Sequence, residues 1–344
     1  MATHRLKTAA LLLLTLVWSS IPAACGRVTI YHYSRLQMGT LINLSLICES
    51  EDRALRAADA AFDAIEKVEA LMSPARKDSD LSRINRMAAK GPVMVAPETL
   101  RVIQKSLEVS RETGGAFDIS FAGLGALWDF KNPSFRPPDR TALAGKLPLV
   151  NYNNIIISEN SRSVRFKRQG MKIGLGGIAK GYAISKAVAA LQNEGVRAFI
   201  VDAGGDLTVG GTKFGKEWRV GIRHPRKEGV LGALTLDDGE SIVTSGDYEC
   251  FVIHHGVRYH HILDPKTGFP TRTFSSVTVI GSDPTLIDAR ATALFVMGGV
   301  RAREFLKSHP GLKAVLVDLD MKIAASKELK GRIEWLEKVE VQWF

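Results

Sequence analysis

Several features that would assign a protein class at once are missing from this 344-residue sequence. Its only cysteines are Cys25, Cys48 and Cys250, which are too few for a disulfide framework. Cysteine and histidine show no spacing typical of a zinc site, and no Gly-x-Ser-x-Gly motif indicates an acyl-transfer nucleophile. No arginine-rich run and no basic strip interleaved with aromatic residues indicates nucleic-acid binding. These absences argue against a disulfide-stapled scaffold, a zinc enzyme, an acyl-transfer enzyme and a nucleic-acid-binding protein.

Long hydrophobic runs are absent too, and the one short run stands at the N-terminus. Arg5 and Lys7 precede an apolar segment at residues 9–17, which is too short for a stable membrane span. A basic start followed by a short apolar run is typical of a secretory signal. We therefore expect residues 1–24 to be a signal peptide.

Small residues before Cys25 are similar to a lipoprotein cleavage site, in which that cysteine becomes the lipid-carrying first residue of the mature chain. Pro22 departs from this pattern, because such sites normally carry leucine there. We favour lipid attachment at Cys25 over plain cleavage. The expected mature domain is then residues 25–344, anchored at the periplasmic side of the cell membrane.

Composition and charge are those of a folded globular protein. The chain has 45% hydrophobic and 24% charged residues, and its length suffices for one large or two modest domains. The formal net charge of +10 suits an anionic ligand or a membrane surface, although solvated surface accounts for most of such a charge.

Alternating patterns of apolar residues predict a mixed α/β architecture. A helix is expected after Ser50, with a core face at helical spacing formed by Leu55, Ala58, Phe62, Ile65 and Met72. A short helix is expected near Asp80–Asn85, and longer ones are expected at residues 97–113, 284–297 and 300–309. Strands are expected at residues 41–48, 198–203, 218–223, 277–280 and 312–317. Residues 131–148 are predicted to be a surface excursion, residues 241–248 a polar turn-rich segment, and the C-terminal tail irregular.

A glycine-dense stretch at residues 174–183 organises the middle of the chain. We expect a strand at residues 164–173 before it and an alanine-rich helix after it that ends at Glu194. Such a turn can hold a phosphate on backbone amides and the helix N-terminus, or it can be a tight structural turn. It matches neither the P-loop nor the dinucleotide-binding pattern. With the strand at 198–203, the layout predicts an α/β crossover unit, which would put Asp206 at a ligand-binding strand end.

Three further positions have a chemical and a structural interpretation. Asp288 and Thr292 lie one helical turn apart and could offer hard oxygen ligands to Mg²⁺, or they could serve the helix dipole and a backbone carbonyl. His260 and His261 could supply a general base, or a histidine bonded to a carbonyl. Phe117 and Asp118 could contact a ring ligand, although a buried aromatic with a capping carboxylate is the more common arrangement.

A set of short motifs, taken together and in order, resembles the ApbE family of FAD:protein FMN transferases. The resemblance covers roughly residues 36–318. The motifs are Met38-Gly-Thr40, Asp80-Leu-Ser-Arg-Ile-Asn85, Thr113-Gly-Gly-Ala-Phe-Asp118, Leu175-Gly-Gly-Ile-Ala-Lys-Gly-Tyr-Ala183, Gly204-Gly-Asp206, Thr244-Ser-Gly-Asp-Tyr248, His260-His-Ile-Leu-Asp-Pro265 and Asp288-Ala-Arg-Ala-Thr292.

The resemblance implies a single catalytic domain of two interleaved lobes, with the nucleotide between them. It implies that a Thr or Ser hydroxyl of an acceptor protein attacks FAD, so that FMN is joined through a phosphoester and AMP leaves. Asp288, Thr292 and the Gly177 carbonyl match the family's Mg²⁺ ligands, and His261 matches its proposed base. The positions matching flavin-nucleotide contacts are Met38, Ala116, Phe117, Asp118, Lys180 and Ile262. The implied partners are acceptor proteins of flavin-dependent electron-transfer complexes.

Two positions depart from the family pattern. Ala75 stands where members commonly carry an aromatic residue, and Gly174 stands where many carry aspartate. We expect the site to depend more on Asp206, Asp247 and Asp288 in consequence.

Two other functions fit the same residues. One is an Mg²⁺-dependent FAD pyrophosphatase that uses water as the acceptor. The other is a lipoprotein that binds flavin without catalysis.

Overall fold

A computed structural model describes residues 28–344 of the chain. The predicted signal peptide and Cys25 lie outside these residues. Among the helices of the described part, none combines the length and apolarity needed to cross a bilayer.

The described chain has the mixed α/β architecture that the sequence predicts. Its helices are α1 (Glu51–Met72), α2 (Asp80–Met87), α3 (Pro97–Glu112), α4 (Arg140–Lys146), α5 (Ala179–Asn193), α6 (Pro284–Met297) and α7 (Gly299–Lys307). Its strands are β1 (Thr29–Gln37), β2 (Thr40–Cys48), β3 (Val93–Met94), β4 (Ile155–Ser158), β5 (Ser163–Phe166), β6 (Ala198–Ala203), β7 (Asp206–Gly210), β8 (Trp218–Arg223), β9 (Val230–Leu236), β10 (Ser241–Gly246), β11 (Phe251–His254), β12 (Val257–His260), β13 (Phe274–Gly281), β14 (Lys313–Asp318), β15 (Ile323–Ala325), β16 (Ile333–Trp335) and β17 (Val341–Trp343).

A nine-stranded sheet forms the frame, in the order β1-β2-β6-β7-β10-β13-β14-β15-β17. Its neighbours are antiparallel except for β15 and β17, which are parallel. The smaller sheets are β16-β9-β8, β3-β5-β4 and the hairpin β11-β12.

Both faces of the central strands are buried. In β14, Ala314 and Leu316 pack in one cluster with residues of α6 and α7, while Val315 and Val317 pack with β8 and β9. This alternation follows from the two-residue period of a strand. The central sheet is therefore a middle layer between the helices and a small sheet.

Helix boundaries follow the local signals closely. Ser50 accepts a hydrogen bond from the Arg53 amide and caps α1, and Asp283 caps α6 by accepting from two amides of its first turn. Helix α5 ends at Asn193, and Gly195 follows with φ +74°. The predicted helices at these places are confirmed.

Several predictions about the strands are wrong. The strand expected at 164–173 ends at Phe166. It belongs to the β3-β5-β4 sheet, whereas β6 lies between β2 and β7 in the nine-stranded sheet, so no α/β crossover unit forms. The segment expected to be turn-rich at 241–248 contains the inner strand β10, and the tail expected to be irregular contains β15, β16 and β17.

Smaller corrections concern exposure and the excursion at 131–148. Leu55 is exposed, whereas the other four predicted core residues of α1 are buried. The excursion contains α4, and its Phe135 and Leu143 are buried in a small apolar cluster with Trp128.

Candidate active site

The glycine-dense stretch brings α5 against α6. A Cβ on Gly181 would overlap the Pro284 carbonyl oxygen and lie 2.9 Å from the Asp288 Cβ, so only glycine allows this approach. The Gly181 amide donates to Asp288 Oδ2 at 2.9 Å. Gly181 is therefore a helix-packing residue, and its contact fixes the Asp288 carboxylate at the start of α5.

Thr292 lies beside the same stretch. A Cβ on Gly177 would lie 3.4 Å from Thr292 Oγ1 and 3.2 Å from the Phe117 ring. The Thr292 hydroxyl is 3.4 Å from Ser245 Oγ, a long contact, and no hydrogen bond joins it to the Asp288 carbonyl one turn earlier. The predicted metal ligands Gly177, Asp288 and Thr292 are thus neighbours.

Asp288 does not cap α6, which was the structural alternative to a metal ligand. The N-cap of α6 is Asp283, whose Oδ1 accepts from the Thr285 and Leu286 amides. Asp288 lies inside the helix and is buried. Burial and the nearby charge of Asp206 raise the pKa of Asp288 to about 7, against the opposing effects of Lys180 and the Gly181 amide.

Lys180 forms an ion pair with buried Asp206 near the start of α5. Burial disfavours the Lys180 ammonium, but the charges of Asp206 and Asp288 outweigh it and raise the pKa of Lys180. Asp206 also accepts from the Thr244 amide at 3.1 Å. The Lys180 ammonium therefore stays charged at the N-terminal end of α5, paired with Asp206 and influenced by the charge of Asp288.

The two adjacent histidines have different surroundings. His260 is buried, with Nε2 2.9 Å from the Thr271 carbonyl oxygen and Nδ1 accepting from the Ile262 amide. Burial lowers the pKa of His260 to about 4, so it is a neutral structural residue at pH 7. The structural interpretation therefore fits His260.

His261 is exposed, yet enough protein surrounds its ring to lower its pKa, with a smaller contribution from the charge of Lys180. Its Nδ1 lies 3.4 Å from the Cys250 carbonyl oxygen, a long contact. A neutral, accessible imidazole at pH 7 can accept a proton.

The tip of the β1–β2 hairpin reaches the same end of the sheet as Asp206. Met38 has φ +54° and is followed by Gly39 at φ +73°, so a long side chain occupies a turn position that favours Asn or Gly. The Met38 amide donates to Glu69 Oε2 at 2.8 Å, which helps to hold this conformation. Gly204, in the turn before Asp206, donates to the Leu41 carbonyl at 3.2 Å.

Comparison with known proteins decides the family. The ApbE family profile matches residues 38–316. The chain belongs to the ApbE family.

Relatives and solved structures agree with this assignment. A protein of Treponema pallidum named FAD:protein FMN transferase is 32% identical over 331 residues, covering 91% of this chain and 91% of the relative. The crystal structure of the ApbE protein of Thermotoga maritima is 33% identical, with a TM-score of 0.81 over 88% of this chain and 99% of that one. The flavin transferase ApbE of Vibrio cholerae is 28% identical, with a TM-score of 0.78 over 89% of this chain and 99% of that one. The predicted family and fold are confirmed.

Within this ApbE fold, Asp118 has a structural role. Its Oδ1 accepts from the Ser120 amide and hydroxyl at 2.8 and 2.6 Å, and its Oδ2 accepts from the Tyr152 amide at 2.9 Å. Burial raises the pKa of Asp118 against these hydrogen bonds. Ala116 and Phe117 before it are buried, as is Ile262 beside His261. Nucleotide contacts at these four residues and at Met38 stay predictions.

The two departures from the ApbE pattern lie in different surroundings. A side chain at Gly174 would be crowded, because its Cβ would lie 3.2 Å from the Ala122 Cβ and 3.4 Å from the Phe121 ring. The Gly174 amide donates to the Ile119 carbonyl at 2.8 Å. Ala75 is exposed.

Asp247 has an ion-pair partner of its own, and its expected role in the site stays a prediction. Arg226 donates to both of its oxygens, at 2.6 and 2.8 Å, which commits the buried Asp247 carboxylate to an ion pair. Sequence reasoning also assigned no role to Ser245 or Glu69. Ser245 belongs to a motif that was noticed, but only the pairing of β10 with β13 brings it to Thr292.

Proposed function

We propose that this ApbE-family protein is an Mg²⁺-dependent FAD:protein FMN transferase. It joins FMN through a phosphoester to a Thr or Ser of an acceptor protein and releases AMP. The observation that carries the proposal is the meeting of Gly177, Asp288 and Thr292 beside the Lys180–Asp206 pair. The names of the relatives support the transferase activity.

The oxygen donors present suit Mg²⁺. Within residues 28–344 no three His, Cys, Asp or Glu side chains group as a metal cluster, so an ion here would need a mixed set of ligands. Asp288 supplies one carboxylate, Thr292 a hydroxyl and Gly177 a carbonyl, which leaves positions for water and substrate phosphate. When bound, Mg²⁺ would neutralise charge that develops on the diphosphate oxygens.

Lys180 and the start of α5 suit the diphosphate of FAD. Ile178 caps this helix without a side-chain hydrogen bond, and the start of the helix contributes partial positive charge. The Gly181 amide of this first turn already donates to Asp288, so the helix attracts the anion through its dipole rather than through that amide. Lys180 adds a full positive charge that Asp206 holds in place. The residues therefore position the diphosphate rather than react with it.

His261 is the proposed general base. Its neutral imidazole takes the proton of the acceptor hydroxyl as that oxygen attacks the FMN-side phosphorus. The new phosphorus–oxygen bond forms while the bond to the AMP oxygen breaks, and AMP leaves with the electron pair. The exposure of His261 would let a macromolecular acceptor reach it.

Intact-mass spectrometry tests the reaction directly. The protein is incubated with FAD, Mg²⁺ and a candidate acceptor protein from a flavin-dependent electron-transfer complex. We expect the acceptor to gain the mass of one FMN less one water, with one AMP released per acceptor. Free FMN and AMP with an unlabelled acceptor would indicate a pyrophosphatase. Tight FAD retention without AMP would indicate a flavin-binding lipoprotein.

The proposed location is the periplasmic side of the membrane, with a lipid anchor on Cys25. The support is the N-terminal sequence pattern alone. The mass of the mature N-terminal peptide, with or without acyl chains, tests it.

A further inference from the structure

A tight turn between β7 and β8 exposes an aromatic side chain. Lys213 and Lys216 exchange backbone hydrogen bonds of 2.7 and 3.1 Å around Phe214 and Gly215. Phe214 is 56% exposed and belongs to none of the apolar clusters within residues 28–344. The fold therefore gains no core packing from this ring.

The backbone at this turn disfavours phenylalanine. Phe214 has φ +52° and Gly215 has φ +82°, the left-handed pair of a two-residue hairpin turn. Asn or Gly adopts such angles readily, whereas a bulky residue does so at a cost in stability. An exposed aromatic residue in a disfavoured conformation, without core packing, points to a function outside the fold.

The sheet register puts this turn at the same end of the molecule as the start of the described chain. Ile30 pairs with Ile47, Ile47 with Ala198, and Phe199 with Gly210, just before the turn. Ile30 and Gly210 are therefore separated by three strand spacings, about 14 Å. Cys25 precedes Val28 by three residues, which span at most about 11 Å.

The candidate active site lies at the opposite end of the sheet. Met38 follows the nine-residue strand β1, and Asp206 begins β7. Nine residues of strand span about 30 Å, which separates Met38 from the chain entry. Through its partners in β6 and β2, Asp206 lies level with Arg35, five residues and about 17 Å along β1 from Ile30. The candidate active site thus lies towards the other end of the sheet from the chain entry.

We propose that the Lys213–Lys216 turn is a second contact with the bilayer, in which Phe214 inserts at the headgroup level beside the anchored N-terminus. The proposal rests on the proposed lipid anchor at Cys25. Together the two contacts hold the sheet end-on to the membrane. The candidate active site then faces away from the surface, where a large acceptor protein can approach it.

The charges around Phe214 favour a membrane rather than a protein groove as the binding partner of this turn. Lys213 and Lys216 flank the ring, and neither takes part in an ion pair within the described chain. Glu217 follows the turn, and Asp238 lies near it, accepting from the Gly211 amide at 2.6 Å. Because these carboxylates offset the lysines, we assign the main contribution to Phe214 and a salt-sensitive one to the lysines.

Lysine footprinting of the anchored protein tests the proposal. The acylated chain is placed in phosphatidylcholine vesicles containing phosphatidylglycerol and treated with a water-soluble amine-acylating reagent. We expect Lys213 and Lys216 to react at least roughly threefold more slowly than in the soluble Cys25→Ser chain. Lys77, exposed beyond the far end of α1, should react equally in both forms.

The variant Phe214→Asn separates function from folding. Asparagine suits the backbone of the turn, so we expect an unchanged or higher melting temperature together with loss of lysine protection on vesicles. The matched control is Leu36→Asn, which removes a 78% exposed leucine at the other end of β1 and should leave the protection intact.

Each other outcome contradicts the proposal in a distinct way. Unprotected lysines on a chain whose mass shows acylation would overturn the bilayer contact and leave the anchor standing. A mature chain without acyl groups would overturn the anchor and, with it, this contact. Protection that appears in the soluble chain together with a dimer in sedimentation would identify a second copy as the occupant instead.

Discussion

Asp288 and Thr292 occupy successive turns of α6, and neither performs the structural task that its position suggests. Asp283 caps the helix, and the Thr292 hydroxyl makes no bond to the preceding turn. Among the described residues, Asp288 accepts only from the Gly181 amide, and Thr292 makes only a long contact with Ser245, so both side chains keep oxygen lone pairs for an exchangeable ligand.

Replacing Asp288 by Asn tests this pair. Asparagine can still accept from the Gly181 amide but carries no charge, so we expect retained melting temperature and a roughly thousandfold lower rate of FMN transfer. The control Asp283→Asn keeps a capping side chain and should retain activity. Steady-state transfer rates and melting curves measure both, and an active Asp288→Asn enzyme would disprove the assigned metal site.

Replacing His261 by Ala removes the proposed base. We expect kcat to fall by about 10²–10⁴-fold, with partial rescue by added imidazole. The lowered pKa of His261 favours the neutral ring at pH 7, so the wild-type rate should fall as acid protonates the ring. His309→Ala is the control, and equal rates in the two variants would remove His261 from the mechanism.

At the scale of elements, the contact between α5 and α6 builds the site. Gly181 permits this contact, and Gly177 brings the stretch to Thr292. Neither helix carries the site alone.

Gly181→Ala should therefore impair both stability and activity. The added methyl overlaps the Pro284 carbonyl, so the helices must separate, at a cost of about 1–3 kcal/mol in unfolding free energy. Gly176→Ala is the matched control, because nothing lies within 4 Å of its added Cβ. Denaturant unfolding compares the two, and equal stabilities would contradict the packing role of Gly181.

Local signals in the sequence predict a helix well where a capping residue marks its start. Helix α6 was predicted with its observed bounds because Asp283 and Pro284 mark its start. Strand β10 was not predicted, because Ser, Thr and Gly in this segment are typical of turns. Its place inside the sheet depends on pairing with β7 and β13, which lie far away in the sequence. For the same reason, the sequence did not predict the contact of Ser245 with Thr292 or the ion pair of Asp247 with Arg226.

At the scale of the whole molecule, an ionic cluster ties the C-terminal region to the central sheet. Glu240, just before β10, pairs with Lys313 at the start of β14 and with Arg332 before β16. Although burial opposes it, hydrogen bonds from Arg332 and Lys313 lower the pKa of Glu240 to about 2.

This shift predicts an acid-sensitive stability. Since the folded-state pKa lies below the ordinary value of 4.5, the contribution is complete above that pH and is lost as pH falls towards 2. Glu240→Gln should lower the unfolding free energy at pH 7 by up to roughly 3 kcal/mol, with the difference shrinking in acid. The control is Glu334→Gln, which removes an exposed ion pair with Arg219 and should leave the unfolding free energy almost unchanged. A Glu240→Gln deficit that stays constant between pH 7 and 3 would argue against the ionic origin.

The central claim is that one cation binds between α6 and the glycine stretch, against the diphosphate of FAD. A crystal grown with FAD and Mn²⁺ tests it through the anomalous signal of the metal. The account predicts a peak about 2.0–2.3 Å from an Asp288 oxygen, the Thr292 hydroxyl and the Gly177 carbonyl, shared with a phosphate oxygen. A metal peak elsewhere, with these three groups far from any phosphorus, would contradict it.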